Sequence, residues 1–376
     1  MTPSPAPTAA LKHTPLHQFH VDQGAKMVDF AGWDMPLHYG SIIDEHTQVR
    51  TRGGLFDVSH MGRLMFTGRD AGPFLDRVCT RAIQSMTDGQ ARYGIICNEQ
   101  GGCRDDVLVY RLGETEYLMV CNASNRAKLL EHFAAVKGDD VFRLEDTTES
   151  TAMIAAQGPE IMPLIARHST EIAELKRYRF IRKNIMGLKV LVSRTGYTGE
   201  DGVEVIVSTD GFVARTALKM FLKELDDLGD TVRPTGLGAR DSLRLESAMA
   251  LYGHEITEDI DPLSAGLGFA VTLPKKSGDR FIGQDALERI QADGPARTLV
   301  GLSLDTRRAA RQGMTVRAGG NDTGVVTSGC LSPTLGTSIA MAYVDRAHAA
   351  EGTTLAVDLG RQEVGATVVG LPFYTR

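Results

Sequence analysis

Residues 91–123 read "ARYGIICNEQGGCRDDVLVYRLGETEYLMVCNA". Three short apolar or alternating runs, "ARYGIICN", "DDVLVYRL" and "EYLMVCNA", are parted by "NEQGG" and "GETE". Runs of that length between turn-forming residues predict an antiparallel meander over about residues 91–122. Strand side chains alternate faces, so the adjacent acids Asp105 and Asp106 must diverge, with Asp106 on the face of Leu108 and Tyr110. An acid on a strand face needs a partner, a proton or water. Across the first turn, Tyr93 is expected to lie roughly opposite the start of "DDVLVY", near enough for its phenol and a carboxylate to reach one ligand. Spacing alone leaves two readings open: polar acids beside a turn, or an acid aimed at a ligand.

Outward from the meander, "SNRAKLLEHFAAVK" has helical spacing and a Ser/Asn start. "STAMIAAQGPE" reads as a strand ending at Gly-Pro, and "LKVLVSR" and "VEVIVS" form a strand pair around the loop "TGYTGEDG". "FVARTALKMFLKELDDLG" has a helical period, and "TGLGARDSLRLESAMALYG" predicts a helix closed at Gly253. Past about residue 290 the texture changes to short strand-like runs between Gly, Asp and Asn turns, which predicts a barrel-like all-β unit. The joint is expected near "ERIQADGPART". The division is then a disordered tail over residues 1–10, an α+β region over 11–290 and a β-barrel over 291–376.

The chain has 376 residues, too many for one simple core, with 42% hydrophobic and 23% charged residues, as in ordinary globular proteins. A formal net charge of -6 argues against a general nucleic-acid binder. No apolar run is long enough to span a membrane, and the start resembles neither a signal nor a transit peptide, so a cytoplasmic location is expected. Five scattered cysteines without a C-x-x-C pair argue against a disulfide framework or a zinc site. Cys97 and Cys103 flank a turn, which leaves a redox pair open beside the plainer reading of buried thiols.

In "TGYTGEDG", Gly196, Gly199 and Gly202 permit tight turns that would project Tyr197 and Glu200, either toward a ligand or merely from a long hairpin. No Lys-Ser/Thr follows, so it is not a phosphate loop. In "GLGARD", Arg240 falls in the first turn of its helix, where a cation opposes the helix dipole. A docked anion would offset that cost, and so would a salt bridge to a nearby acid. His17 and His20, and His38 and His46, lack metal-site spacing, so no metal is expected. No G-x-S-x-G elbow accompanies the serines of "SGCLSPTLGTS". Trp33, the single tryptophan, is expected to pack in a core or loop.

Taken in order, "TPLHQFHVDQGAKMVDFAGWDMPLHYG", "GLFDVSHMG", "GGCRDDVLVY", "SRTGYTGEDGVEV", "GLGARDSLRLE", "LYGHEI" and "SGCLSPTLG" resemble the aminomethyltransferase (T-protein) family of the glycine cleavage system. The resemblance runs from about Thr14 to the end. It implies a three-domain, cloverleaf-like α+β fold with a C-terminal β-barrel, in which residues 11–290 form a folate-binding region of two interleaved α+β subdomains. It also implies transfer of a one-carbon unit from the aminomethyl-dihydrolipoyl arm of a lipoylated H-protein to tetrahydrofolate. Ammonia is released and 5,10-methylene-tetrahydrofolate forms, with neither metal nor nicotinamide. The family's key acid falls on Asp106. Its folate-lining residues fall on Tyr93, Tyr197, Glu200, which grips the pterin, and Arg240, and its C-terminal tyrosine falls nearest Tyr374 in "LPFYTR". Cys103 and Arg104 depart from the apolar residues usual in the family. A tetrahydrofolate-dependent demethylase on the same scaffold is the alternative. A non-enzymatic folate-binding relative in iron–sulfur assembly would need a Lys-Gly-Cys-Tyr-x-Gly-Gln segment, and "SRTGYTGED" has no cysteine.

Overall fold

The computed structural model describes residues 10–185, 188–211, 216, 229–275 and 278–376. The tail read over residues 1–10 and the helix read over 212–229 therefore fall almost wholly outside the described residues. Strand β1 (Lys26–Phe30) forms a hairpin with β2 (Trp33–His38). Strands β3 (Gly54–Asp57), β4 (Gly62–Thr67), β5 (Gln90–Cys97), β6 (Cys103–Gly113), β7 (Glu116–Cys121), β8 (Arg143–Asp146) and β9 (Thr151–Gln157) follow. Then come β10 (Phe180–Ile185), β11 (Leu188–Ser193), β12 (Gly202–Ser208) and the two-residue β13 (Arg233–Pro234). They make a five-stranded sheet, β5-β6-β7-β4-β8, and a six-stranded sheet, β10-β11-β12-β9-β3-β13.

The meander is present as β5, β6 and β7, all antiparallel, with Tyr93 opposite Leu108 and Ile95 opposite Asp106. Its two faces enter two cores. Val107 and Val109 join Phe66, Phe74, Phe133 and Phe142 beneath the helices Ala71–Val78 and Arg126–Val136. Leu108 and Tyr110 face Met153, Phe180, Leu191 and Ile206 of the six-stranded sheet. Each fully buried phenylalanine contributes about 1.5–3 kcal/mol by leaving water. With both faces of β6 covered, its register cannot slip without exposing one set, which fixes where Asp105 and Asp106 point.

Strands β14 (Arg297–Leu304), β15 (Thr315–Ala318), β16 (Asn321–Leu331), β17 (Ser338–Asp345), β18 (Thr354–Asp358) and β19 (Glu363–Val369) close into a barrel. Its interior is filled at period two, by Val300, Leu302 and Leu304 on β14 and by Ala340, Ala342 and Val344 on β17. The sequence reading lacked β15, whose four residues carry one buried apolar side chain, Val316. The helix Gln284–Asp293 ends at Gly294, and β14 begins three residues later.

The helix in "TGLGARDSLRLESAMALYG" spans Leu237–Glu246 and stops well short of Gly253. Ala248 adopts a left-handed backbone (φ 53°), and the Met249 N–H closes back on the Arg244 carbonyl at 2.9 Å. All five cysteines are free. Cys97 and Cys103 pair across β5 and β6, and burial pushes both thiols up, which disfavours the thiolate that exchange requires. Among the described residues, no helix is long and apolar enough to cross a membrane.

Candidate active site

Alternation along β6 separates the two aspartates as expected. Asp105 is fully buried on the Val107 face, while Asp106 is partly accessible on the Leu108 face. Asp105 accepts from the Asn122 backbone N–H (3.0 Å), from Asn122 Nδ2 (2.8 Å) and from Asn125 Nδ2 (2.6 Å). Asp106 Oδ2 accepts from the Tyr93 hydroxyl at 3.1 Å, and its Oδ1 from the same Asn122 Nδ2 at 2.7 Å. One amide therefore bridges both acids. Burial raises both carboxyls above the ordinary aspartate range, and for Asp105 the charge of Asp106 adds to it. The pair titrates as a unit, so it can hold a proton at a pH where a free aspartate would not.

Tyr93 is pushed up by burial and by Asp106, so its phenol stays protonated and donates. Phe269, 66% exposed, lies over Tyr93 with ring centroids 6.0 Å apart and planes 19° from parallel. The stack thus runs from the Asp106-bonded Tyr93 out to a largely exposed Phe269.

The loop between β11 and β12 supplies Tyr197 and Glu200. Gly199 permits its turn: φ is +80°, and a Cβ there would meet Ser247 Oγ at 2.0 Å. Tyr197 donates to the Ala250 carbonyl at 2.5 Å, and its hydroxyl feels the charges of Arg244 and Asp106. The Arg240 guanidinium lies over the Tyr197 ring at 4.8 Å and near Phe56 at 5.9 Å. Arg240 Nη1 is buried without a partner among the described residues, and so is His60 Nδ1. Burial first, then Arg240 and Arg63, push His60 down to about 4, so its ring is neutral near pH 7. Unpaired buried donors and acceptors are costly unless a ligand meets them. The anion at this helix start is intramolecular: Glu45 Oε2 accepts the Gly236 N–H at 2.8 Å. A Cβ at Gly236 would sit 2.3 Å from the Leu37 carbonyl oxygen, so glycine is required at that approach.

Glu200 stands in a second cluster. Its carboxylate is buried, with Oε1 2.9 Å from Arg50 Nη1 and Oε2 bonded to Arg376. Arg50 Nη2 also reaches Glu246 Oε2 at 2.8 Å, and its guanidinium lies 4.3 Å from the centroid of the Tyr374 ring. The Tyr374 N–H donates to the Glu246 carbonyl at 2.9 Å. Glu204 is the acid whose charge acts most on Arg240. It sits on β12, buried, accepting from Thr195 Oγ1, and burial raises its carboxyl while Arg240 pulls it back.

The structure thus joins Asp106 directly to Tyr93, Tyr197 to Arg240, and Glu200 through Arg50 to Tyr374. Two elements link these groups. The β11–β12 loop carries both Tyr197 and Glu200, and the helix Leu237–Glu246 carries both Arg240 and Glu246. The sequence reading did not find Asn122, Glu204 or Arg50. Glu204 carried a usable signal, a charged residue inside the apolar alternation of "VEVIVS".

The sequence model of the GCVT N-terminal domain matches residues 16–275, and that of the glycine cleavage T-protein C-terminal barrel domain matches residues 297–375. A Rubrobacter xylanophilus protein named aminomethyltransferase is 45% identical over 370 residues, covering 97% of this chain and 95% of that protein. One of the same name from Saccharopolyspora erythraea is 45% identical over 369 residues, covering 97% and 98%. The crystal structure of glycine cleavage system aminomethyltransferase T from Bartonella henselae superposes with a TM-score of 0.88 at 33% identity, covering 97% of this chain and 98% of that one.

Proposed function

The chain belongs to the glycine cleavage T-protein family of aminomethyltransferases, and we propose that it performs the family's transfer with Asp106 as its catalytic acid. It is a tetrahydrofolate-dependent aminomethyltransferase; the relatives named above carry that activity's name, which favours it over the demethylase alternative. The lipoyl-bearing H-protein is the donor in this reading, and the cytoplasm its location.

Tetrahydrofolate supplies the two ring-side nitrogens that receive the one-carbon unit. The two N–H protons they give up equal the two gained by ammonia and by the lipoyl thiol. Asp106 is suited to move them. Its Oδ2 is held by Tyr93 and its Oδ1 by Asn122, and burial keeps its affinity for a proton above that of a free aspartate. A carboxylate so placed contributes about 10²–10⁴-fold, with positioning of two large substrates supplying much of the rest.

The residues fit the folate by chemistry. Tyr93 with Phe269, and Tyr197, offer aromatic faces. Arg240 Nη1 and His60 Nδ1 offer unpaired polar atoms, and Glu204 a carboxylate for donor N–H groups. Both Glu200 oxygens are bound to arginines, so its part is to hold Arg50 and, through it, the Tyr374 ring. The observation that carries the reading is the Tyr93–Asp106–Asn122 arrangement on a strand whose register is fixed from both faces. The test supplies purified protein with aminomethyl-loaded lipoyl H-protein and tetrahydrofolate, and measures ammonia and 5,10-methylene-tetrahydrofolate. Equimolar formation of both is expected, and absence of both overturns the proposal.

A further inference from the structure

His13, His17 and Asp34 converge at a place the transfer reaction leaves unused. Each offers one ligand atom, and the three atoms lie within 4.8 Å of one another. His17 Nε2 is 2.8 Å from Asp34 Oδ2. The two imidazoles are stacked, with centroids 3.7 Å apart and planes 2° from parallel. The backbone holds them there. The Lys12 N–H bonds the Gly32 carbonyl and the Asp34 N–H bonds the Lys12 carbonyl, both at 2.9 Å, so the segment before the helix His17–Asp22 is clamped onto the β1–β2 hairpin.

The local charge also calls for a cation. Asp29 stands directly opposite Asp34 across the hairpin, and like charges in that relation repel. The neighbouring Lys12 directs its ammonium to Glu149 at 2.8 Å and over the Trp33 ring at 5.6 Å, and forms no ion pair with Asp34. Two imidazole nitrogens and one carboxylate oxygen suit Zn²⁺, Co²⁺ or Ni²⁺; Ca²⁺ and Mg²⁺ want oxygen. Bonds of about 2.0–2.1 Å put tetrahedral ligand atoms about 3.3–3.4 Å apart. The His17–Asp34 pair need open by only about half an ångström, and a rotamer change of the exposed His13 ring, out of its stack on His17, brings it to a third corner. The fourth corner is left for water.

We propose that His13, His17 and Asp34 form a surface site for a zinc-class divalent ion, which fastens the N-terminal segment to the β1–β2 hairpin. Trp33, the single tryptophan of the chain, precedes Asp34 and reports on it. Tag-free full-length protein, stripped with chelator, is titrated with Ni²⁺ while Trp33 emission is followed. Saturable quenching is expected with a midpoint on the order of 1–10 µM, reversed by competing Zn²⁺. His13→Ala and His17→Ala should each raise that midpoint by about tenfold or more. His13 is exposed, so its variant keeps the fold, and Zn²⁺ should raise the melting temperature of the wild type but not of His13→Ala. A midpoint near 1 mM, or one unchanged in both variants, overturns the site.

Discussion

Asn122 presents both protons of one amide to two carboxylates, and the behaviour of the pair rests on it. Replacing it by alanine removes the bridge and leaves acceptors in a buried place. Asn122→Ala should cost about 1–3 kcal/mol in urea unfolding and move the acid limb of the kcat profile upward, because two hydrogen bonds that favour the ionised acids are gone. Asp105→Asn should cost stability of the same order while lowering turnover less than a change at Asp106. Its new amide would face the Asn122 and Asn125 donors with donors of its own. A normal unfolding midpoint for Asp105→Asn would contradict this. The divergence of the two acids was legible in the sequence because period-two alternation needs only a strand. Their partners were not. Asn122 stands 17 residues from Asp105 along the chain and comes beside it only when β7 pairs with β6. The grouping of His13, His17 and Asp34 was not read for a similar reason: the carboxylate arrives from the β1–β2 hairpin.

At the scale of elements, Arg50 is the common partner of loop, helix and tail. It is buried and bonds Glu200, Glu246 and the Thr198 carbonyl. Arg50→Met would leave two buried carboxylates short of a partner, a loss of about 3–5 kcal/mol. Chemical denaturation reads it, and a cost below about 1 kcal/mol would show the network to be dispensable. Glu246 sets a pH limit. Burial alone would raise its carboxyl, but His46, Ser332 and Arg50 outweigh burial and hold it down at about 2, against an ordinary value of 4.5. A carboxyl that ionises more readily when folded stabilises the protein fully above pH 4.5, and that contribution disappears as pH falls toward 2. Unfolding midpoints measured across that interval should decline, and the decline should be shallower in Glu246→Gln. The sequence showed the helix that carries Glu246 but misplaced its end, because Gly253 is a strong stop signal while Ala248 carries none. Ala248 turns left-handed where it packs against Leu245, Ile339 and Met341, a setting that no local pattern announces.

Across the whole molecule, the barrel is tied to the preceding region around Arg244 and Glu246. Ser332 and Thr334, beyond β16, bond Glu246, and Ser328 on β16 bonds Arg244. The chain then returns so that Tyr374 packs on Arg50 and Arg376 meets Glu200. Changes in the barrel loop should therefore be felt at the site. Thr334→Val should raise KM for tetrahydrofolate several-fold more than it changes the melting temperature would suggest, which steady-state kinetics beside calorimetry can check. The strand textures of the meander and the barrel were readable because both are local patterns. The Arg50–Glu246 link joins residues 196 apart, and no local pattern encodes it. The claim that Asp106 moves protons for the transfer is tested most directly by Asp106→Asn, assayed with loaded H-protein and by direct tetrahydrofolate binding. The account predicts that kcat falls by about 10²–10⁴-fold while the folate Kd stays within about threefold. Turnover equal to that of the wild type would contradict it.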